Sequence, residues 1–143
     1  MGSKLTRFWQ LDGKDKLLLF QAIGWLAIAR IMLAANSFER LSEKLADAGE
    51  STGVEPSPEE LRRLSYAISA AANNVPWRSD CFPQSIAARL MLRRRGIASI
   101  IHLGVERVGE AELAGHAWLT CGDTVVTGDV DLDRYTELHR YPR

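Results

Sequence analysis

The sequence predicts an α+β domain, with helices first and an antiparallel sheet after them. Three observations predict it. Apolar residues recur at helical spacing from Lys14 to about residue 95. After Gly96 the period changes, and short runs rich in Ile, Val, Leu and Thr take over. Two of these runs are separated only by Gly122-Asp123, a two-residue hairpin connection.

The elements follow in order. Residues 14–35 read as one long helix. Asn36-Ser37 breaks it, and Ser37 caps a second helix to Ala48 with Phe38, Leu41 and Leu45 on one face. AGESTGVEPSP, residues 48–58, has the Gly, Ser, Thr and Pro content of a surface loop. Ser57 caps the next helix, with Pro58 at its first position and Glu59-Glu60 in its first turn. That helix buries Leu61, Leu64, Ile68 and Ala71 or Ala72, and stops before Asn74-Val75-Pro76-Trp77. A further helix begins near Cys81 and ends at Gly96, with Ile86, Leu90 and Ala87 or Met91 on one face. Arg93, Arg94 and Arg95 are the charged last turn, where cations suit the helix dipole. Strands are expected at 99–105, 113–120, 124–128 and, on an edge, 136–141. The expected organisation is an N-terminal helical region, 1–56, packed on a core, 57–143, in one compact unit.

Composition excludes several classes. Of 143 residues, 46% are apolar and 25% charged, as in an ordinary globular protein. Eighteen basic residues balance eighteen acidic ones, so no global field holds nucleic acid or an anionic membrane. Two cysteines with no CxxC pair and no secretory signal imply reduced thiols and a cytoplasmic setting. No phosphate loop, cofactor motif or metal site is expected. The apolar stretch 17–35 is long enough for a bilayer, but Arg30 lies inside it. It is expected to be a docking helix rather than a membrane anchor.

Chemistry points to two segments. In Ser79-Asp80-Cys81-Phe82-Pro83-Gln84 the cysteine falls at a helix N-terminus. There the dipole and the free first-turn N–H groups favour a thiolate and can hold an oxyanion. In the second, 115–129, a Gly122-Asp123 turn sets Thr124 against Cys121, Val126 against Leu119 and Asp129 against His116. A carboxylate opposite an imidazole orients it as a base, so Cys81, His116 and Asp129 form a nucleophile–base–orienter set. Asp131, diagonal on the same face, is the reserve for the third place. Trp118 shares the His116 face, either over the site or as core. Cys121 is on the opposite face and structural. His102 and His139 read as ordinary strand residues.

PWRSDCFPQSIAARLMLRRRG (76–96), IIHLGV (100–105) and GHAWLTCGDTVVTG (115–128) resemble the transglutaminase-like peptidases of lasso-peptide biosynthesis, in particular the stand-alone leader peptidases. The resemblance extends over most of residues 12–141. It implies a papain-like core and a Cys–His–Asp triad with Cys81 as nucleophile and His116 as base. Trp77, by analogy with a transglutaminase tryptophan, is one candidate oxyanion donor; Gln84, one turn after Cys81, is a second candidate. It also implies a function, cutting the leader from a ribosomally made precursor peptide. The implied partners are that peptide, a leader-recognition protein and an ATP-dependent cyclase. Two other readings are a non-catalytic peptide-binding scaffold and an acyltransferase of transglutaminase type.

Overall fold

The computed structural model describes residues 6, 7, 9–47 and 52–142. Among the described residues, four helices from Gly13 onward precede a four-stranded antiparallel sheet, the α+β arrangement expected. Helix α1 spans Gly13–Ala35, capped by Asp12, whose carboxylate accepts from the Asp15 N–H at 2.9 Å. Asn36 and Ser37 are extended, and Ser37 caps α2, Phe38–Ala46. Helix α3, Pro58–Ala72, starts on the Ser57 cap with Pro58 in the first turn, where its missing N–H costs nothing. Helix α4 is Cys81–Arg94, and Gly96 follows it with φ +74°. Of the expected loop 48–58, residues 48–51 lie outside the described residues.

The strands are β1 (Ile100–Arg107), β2 (Leu113–Cys121), β3 (Thr124–Thr127) and β4 (Thr136–Tyr141), in sheet order β3-β2-β1-β4. A short 3-10 turn, Leu132–Arg134, connects the last two. The helices cover one face. There α4 packs on β2 and β3, α3 packs on β3 and α4, and α1 lies across α3 and α4.

A single core crosses the 56/57 boundary, joining Leu18, Leu26, Leu41 and Leu45 to Leu64, Ile68, Leu92, Ile101 and Leu119. Each fully buried Leu or Ile contributes about 1.5–3 kcal/mol relative to exposure. Helix α4 differs from its expected one-faced pattern. Pro83, Ser85 to Arg89, Met91 and Leu92 are all buried, because the helix lies between the other helices and the sheet.

Burial of Arg89 is tolerated because its guanidinium donates to three carbonyls: Ser99 at 2.6 Å, Asp47 at 3.1 Å and Tyr141 at 3.3 Å. Burial, then the nearby Arg93 charge, lowers its pKa. The fork ties α4 to the ends of α2 and β4 and to the segment entering β1. The Ser42 hydroxyl meets the Tyr141 phenol at 2.9 Å, a second link between α2 and β4.

Candidate active site

Cys81 opens α4 after Asp80, which takes the extended conformation of a cap. The caps of α1, α2 and α3 each accept a backbone N–H through the side chain, but Asp80 does not. Its carboxylate instead pairs with Arg78 at 2.7 Å, a solvent-exposed contact that contributes little to stability. The first-turn N–H groups beside Cys81 are therefore not taken by the cap side chain. Gln84 reaches back, donating from Nε2 to the Ser79 carbonyl at 2.8 Å, and so holds the approach to Cys81. Two polar atoms in that approach, Trp77 Nε1 and Ser79 Oγ, are buried without a hydrogen-bond partner. Buried donors are rarely left so.

A buried hydroxyl pair fastens this turn to the sheet. Ser85 Oγ donates to the Cys81 carbonyl at 3.0 Å and meets Thr127 Oγ1 at 2.9 Å. Since Ser85 has one hydroxyl proton, Thr127 supplies the proton of the second bond. Thr127 ends β3, and Gly128 follows with φ +73°. A Cβ on Gly128 would stand 2.4 Å from the Ala117 carbonyl oxygen, so only glycine fits here. The Gly128 carbonyl then accepts a hydrogen bond from His116 Nε2 at 2.8 Å. A carbonyl cannot donate, so Nε2 carries the proton in this bond. In the neutral ring Nδ1 is then the basic nitrogen.

The third place differs from expectation. Cys121 pairs with Thr124 and Thr120 with Val125, as a Gly122-Asp123 turn requires, but Leu119 then pairs with Thr127 instead of Val126. The register shift adds one residue to β3. Val126 and Thr127 are both buried as a result. Asp129 is thereby carried out of register with His116. It is exposed, and the Gly128 backbone makes the bond expected of its side chain. Asp131 is also exposed.

Around His116 the sheet face away from the helices is aromatic. Trp118 stacks on His102 at 5.2 Å and on His116 at 5.9 Å, and Tyr135 stacks on His116 at 4.9 Å. Arg134 binds Glu106 at 2.6 Å, pinning the 3-10 turn that presents Tyr135. His102 bonds the Glu137 carboxylate through Nδ1 and Thr120 Oγ1 through Nε2, the latter at 2.8 Å. Burial raises the Glu137 pKa, but hydrogen bonds from Arg140 and His102 outweigh it and hold the carboxyl below its ordinary value.

The structure thus joins the Cys81 turn to the His116 strand through Ser85, Thr127 and Gly128, and it leaves Asp129 and Asp131 at the surface. No hydrogen bond connects Cys81 to His116. Cys121 is buried and donates to the Ala98 carbonyl at 3.4 Å; burial, then the Glu60 charge, raises its thiol pKa. Sequence reasoning missed Tyr135, Ser85 and the Gly128 carbonyl. A glycine directly before Asp129, where a strand ends, was the one signal for the last.

Fold and site define an α+β domain with a cysteine at the first position of a helix, joined through Ser85 and Thr127 to a histidine-bearing hairpin. The chain belongs to the transglutaminase-like superfamily, whose pattern it matches over residues 25–140. That superfamily includes cysteine peptidases and acyltransferases. No curated protein and no solved structure matches the chain.

Proposed function

We propose that the protein is a cysteine peptidase in which Cys81 is the nucleophile and His116 the base. The observation that carries this reading is the His116–Gly128 hydrogen bond. It leaves Nδ1 as the proton acceptor on a strand tethered, through Thr127 and Ser85, to the helix that Cys81 begins. In this reading, substrate binding brings the His116 ring, which shares with Trp118 the sheet face turned away from the helices, within reach of Cys81; His116 then takes the thiol proton, and the Cys81 thiolate adds to the scissile carbonyl. The C–N bond breaks as the imidazolium returns its proton to the leaving amine. Water, deprotonated by His116, then cleaves the thioester to a carboxylate and restores the thiol. In this proposal first-turn N–H groups of α4 and the Trp77 indole N–H, which is buried without a partner, stabilise the oxyanion, with Gln84 holding the turn. Asp129 acts on the imidazolium only through its charge, with Asp131 behind it.

The substrate in this proposal is the leader–core precursor of a ribosomally made lasso peptide. Segments 76–96, 100–105 and 115–128 support it by their resemblance to the leader peptidases. A leader-recognition protein presents the precursor, an ATP-dependent cyclase takes the released core, and the setting is cytoplasmic.

The test is mass spectrometry of a leader–core precursor incubated with the protein, with and without its leader-recognition partner, in water enriched in ¹⁸O. One heavy oxygen in the new carboxyl terminus, absent with Cys81→Ala, is the expected outcome. Transfer of the acyl group to an added amine would establish an acyltransferase instead. Peptide binding without any covalent change, with or without the partner, would leave a scaffold.

A further inference from the structure

Asp129 and Asp131 are exposed, and the Gly128 carbonyl that orients His116 carries no net charge. An imidazolium on His116 therefore gains no shielded counter-charge from these three residues. The neighbouring strand holds one. Glu106 is 8% exposed, and among the described residues no other carboxylate is buried to this degree. Its Oε1 accepts from Arg134 Nη2 at 2.6 Å, while its Oε2 is buried without a hydrogen-bond partner. A carboxylate oxygen buried in this way is costly, so its position calls for a reason. Strands β1 and β2 pair without interruption from Ile100 and Thr120 to Arg107 and Leu113, which sets Gly104 opposite His116 and Glu106 opposite Ala114. Residues two apart on a strand share a face, so Glu106 stands with Gly104 and His102 on the face of His116 and Trp118. Glu106 is then the diagonal neighbour of His116, about 7 Å away across the ladder. No β1 side chain rises between them, because the residue there is Gly104, where a Cβ would stand 3.0 Å from the Trp118 ring and from the Thr136 carbonyl. Arg134 links the two again: it holds Glu106, and the next residue, Tyr135, stacks on His116 at 4.9 Å.

We infer that Glu106 is a positioning residue for His116, stabilising the imidazolium through its charge where a triad carboxylate would do so by contact. Its catalytic consequence rests on the peptidase reading; the coupling of the two charges does not. Burial gives Glu106 the advantage over Asp129, whose charge is screened by the water around it. Arg134 acts in the opposite sense, but its side chain is 58% exposed, so water screens it more than it screens Glu106. The other titratable and charged groups about His116 are His102 on β1, Glu137 and Arg140 on β4, Tyr135 before β4, the exposed Asp129 and Asp131, and Cys81 at the head of α4. Glu137 is committed to His102 and Arg140. That leaves Glu106 as the buried negative charge with an oxygen to spare on the His116 face.

The test is the titration of the His116 ring, followed by NMR on the full chain, with its signal identified by its loss in His116→Gln. Glu106→Gln keeps the side chain's shape and can still accept from Arg134. It should lower the His116 pKa by at least about half a unit, an about threefold loss of imidazolium stability. Arg134→Gln should raise the same pKa, because the carboxylate then acts unopposed. Opposite signs are the mark of charge: if Glu106 only anchored the turn, losing either partner of the pair would move His116 the same way. His102 is the internal control, since it stands four residues from Glu106, about 13 Å along the strand, and should move less. Arg134 is exposed, so its variant reads the coupling even where Glu106→Gln is unstable. Shifts of the same sign, a His116 pKa unmoved by Glu106→Gln, or one not raised by Arg134→Gln would overturn the inference. Cleavage of a leader–core precursor by Glu106→Gln should fall at least about threefold at matched folded concentration. Unchanged cleavage, with an active parent, would remove the positioning role. Opposite shifts with no cleavage by the parent would leave the coupling standing and remove the peptidase reading instead.

Discussion

The Cys121 thiol is buried, bonded to the Ala98 carbonyl and pushed to a higher pKa by burial and by Glu60. Cys81 is half-buried at the start of a helix whose cap side chain leaves the first turn open. Iodoacetamide is therefore expected to modify Cys81 first; peptide mapping showing equal or faster labelling at Cys121 would refute the assignment. At the third place the physics has moved from a carboxylate to a carbonyl. In the serine-protease triad, replacing the orienting Asp by Asn costs about 10⁴ in turnover. Here Gly128 fixes the tautomer and Asp129 is exposed, so Asp129→Asn should cost less than about tenfold, and Asp131→Asn less still. A loss near 10⁴ for either variant, measured as cleavage rate at matched folded concentration, would restore the carboxylate to the triad. Gly128→Ala should be far more damaging, because positive φ and the Ala117 carbonyl both exclude a side chain.

At the scale of elements, what was legible followed from local rules. Ser37 and Ser57 announce helix starts by cap hydrogen bonds that a few residues decide, Pro58 does so by its fixed φ and missing donor, and Gly122-Asp123 announces a turn. The register shift at Val126 was not legible. It depends on Thr127 turning inward to meet Ser85, a partner 42 residues away, and no period-two pattern encodes such a contact. For the same reason Ser85 looked like a minor polar residue in an apolar helix. Ser85→Ala leaves the Thr127 hydroxyl buried without its partner. It should lower unfolding free energy by about 1–3 kcal/mol in urea titration. It should also slow cleavage in folded protein by loosening the tie between α4 and β3. On β4, Glu137 has its pKa lowered in the fold, so its contribution is present above the ordinary glutamate value of 4.5 and is lost as pH falls through the folded value. Glu137→Gln should flatten that acid-side loss in melts recorded below about pH 5.

The whole molecule is closed by a charge that composition does not reveal. Arg89 reads in sequence as one of several arginines in α4, yet its fork gathers carbonyls from three separate segments. Arg89→Met should cost about 3 kcal/mol or more by leaving buried carbonyls without donors. Arg89→Lys should recover only part of that, since an ammonium lacks the planar fork. Thermal melts of the two variants against the parent test this; equal melting temperatures for all three would show that the fork adds nothing. The closing contacts also span long stretches of chain, 52 residues from Arg89 to Tyr141 and 99 from Ser42 to Tyr141.

That last span bears on how the molecule is made. A ribosome delivers α1 to α4 well before β4, and the helices can collapse on one another as they emerge. Until Tyr141 has left the exit tunnel, however, Ser42 has no phenol to meet and one of the carbonyls that hold the Arg89 guanidinium is missing. For that interval the nascent chain is a helical cluster with an incomplete sheet, and β4, made after these helices, is the piece that locks them.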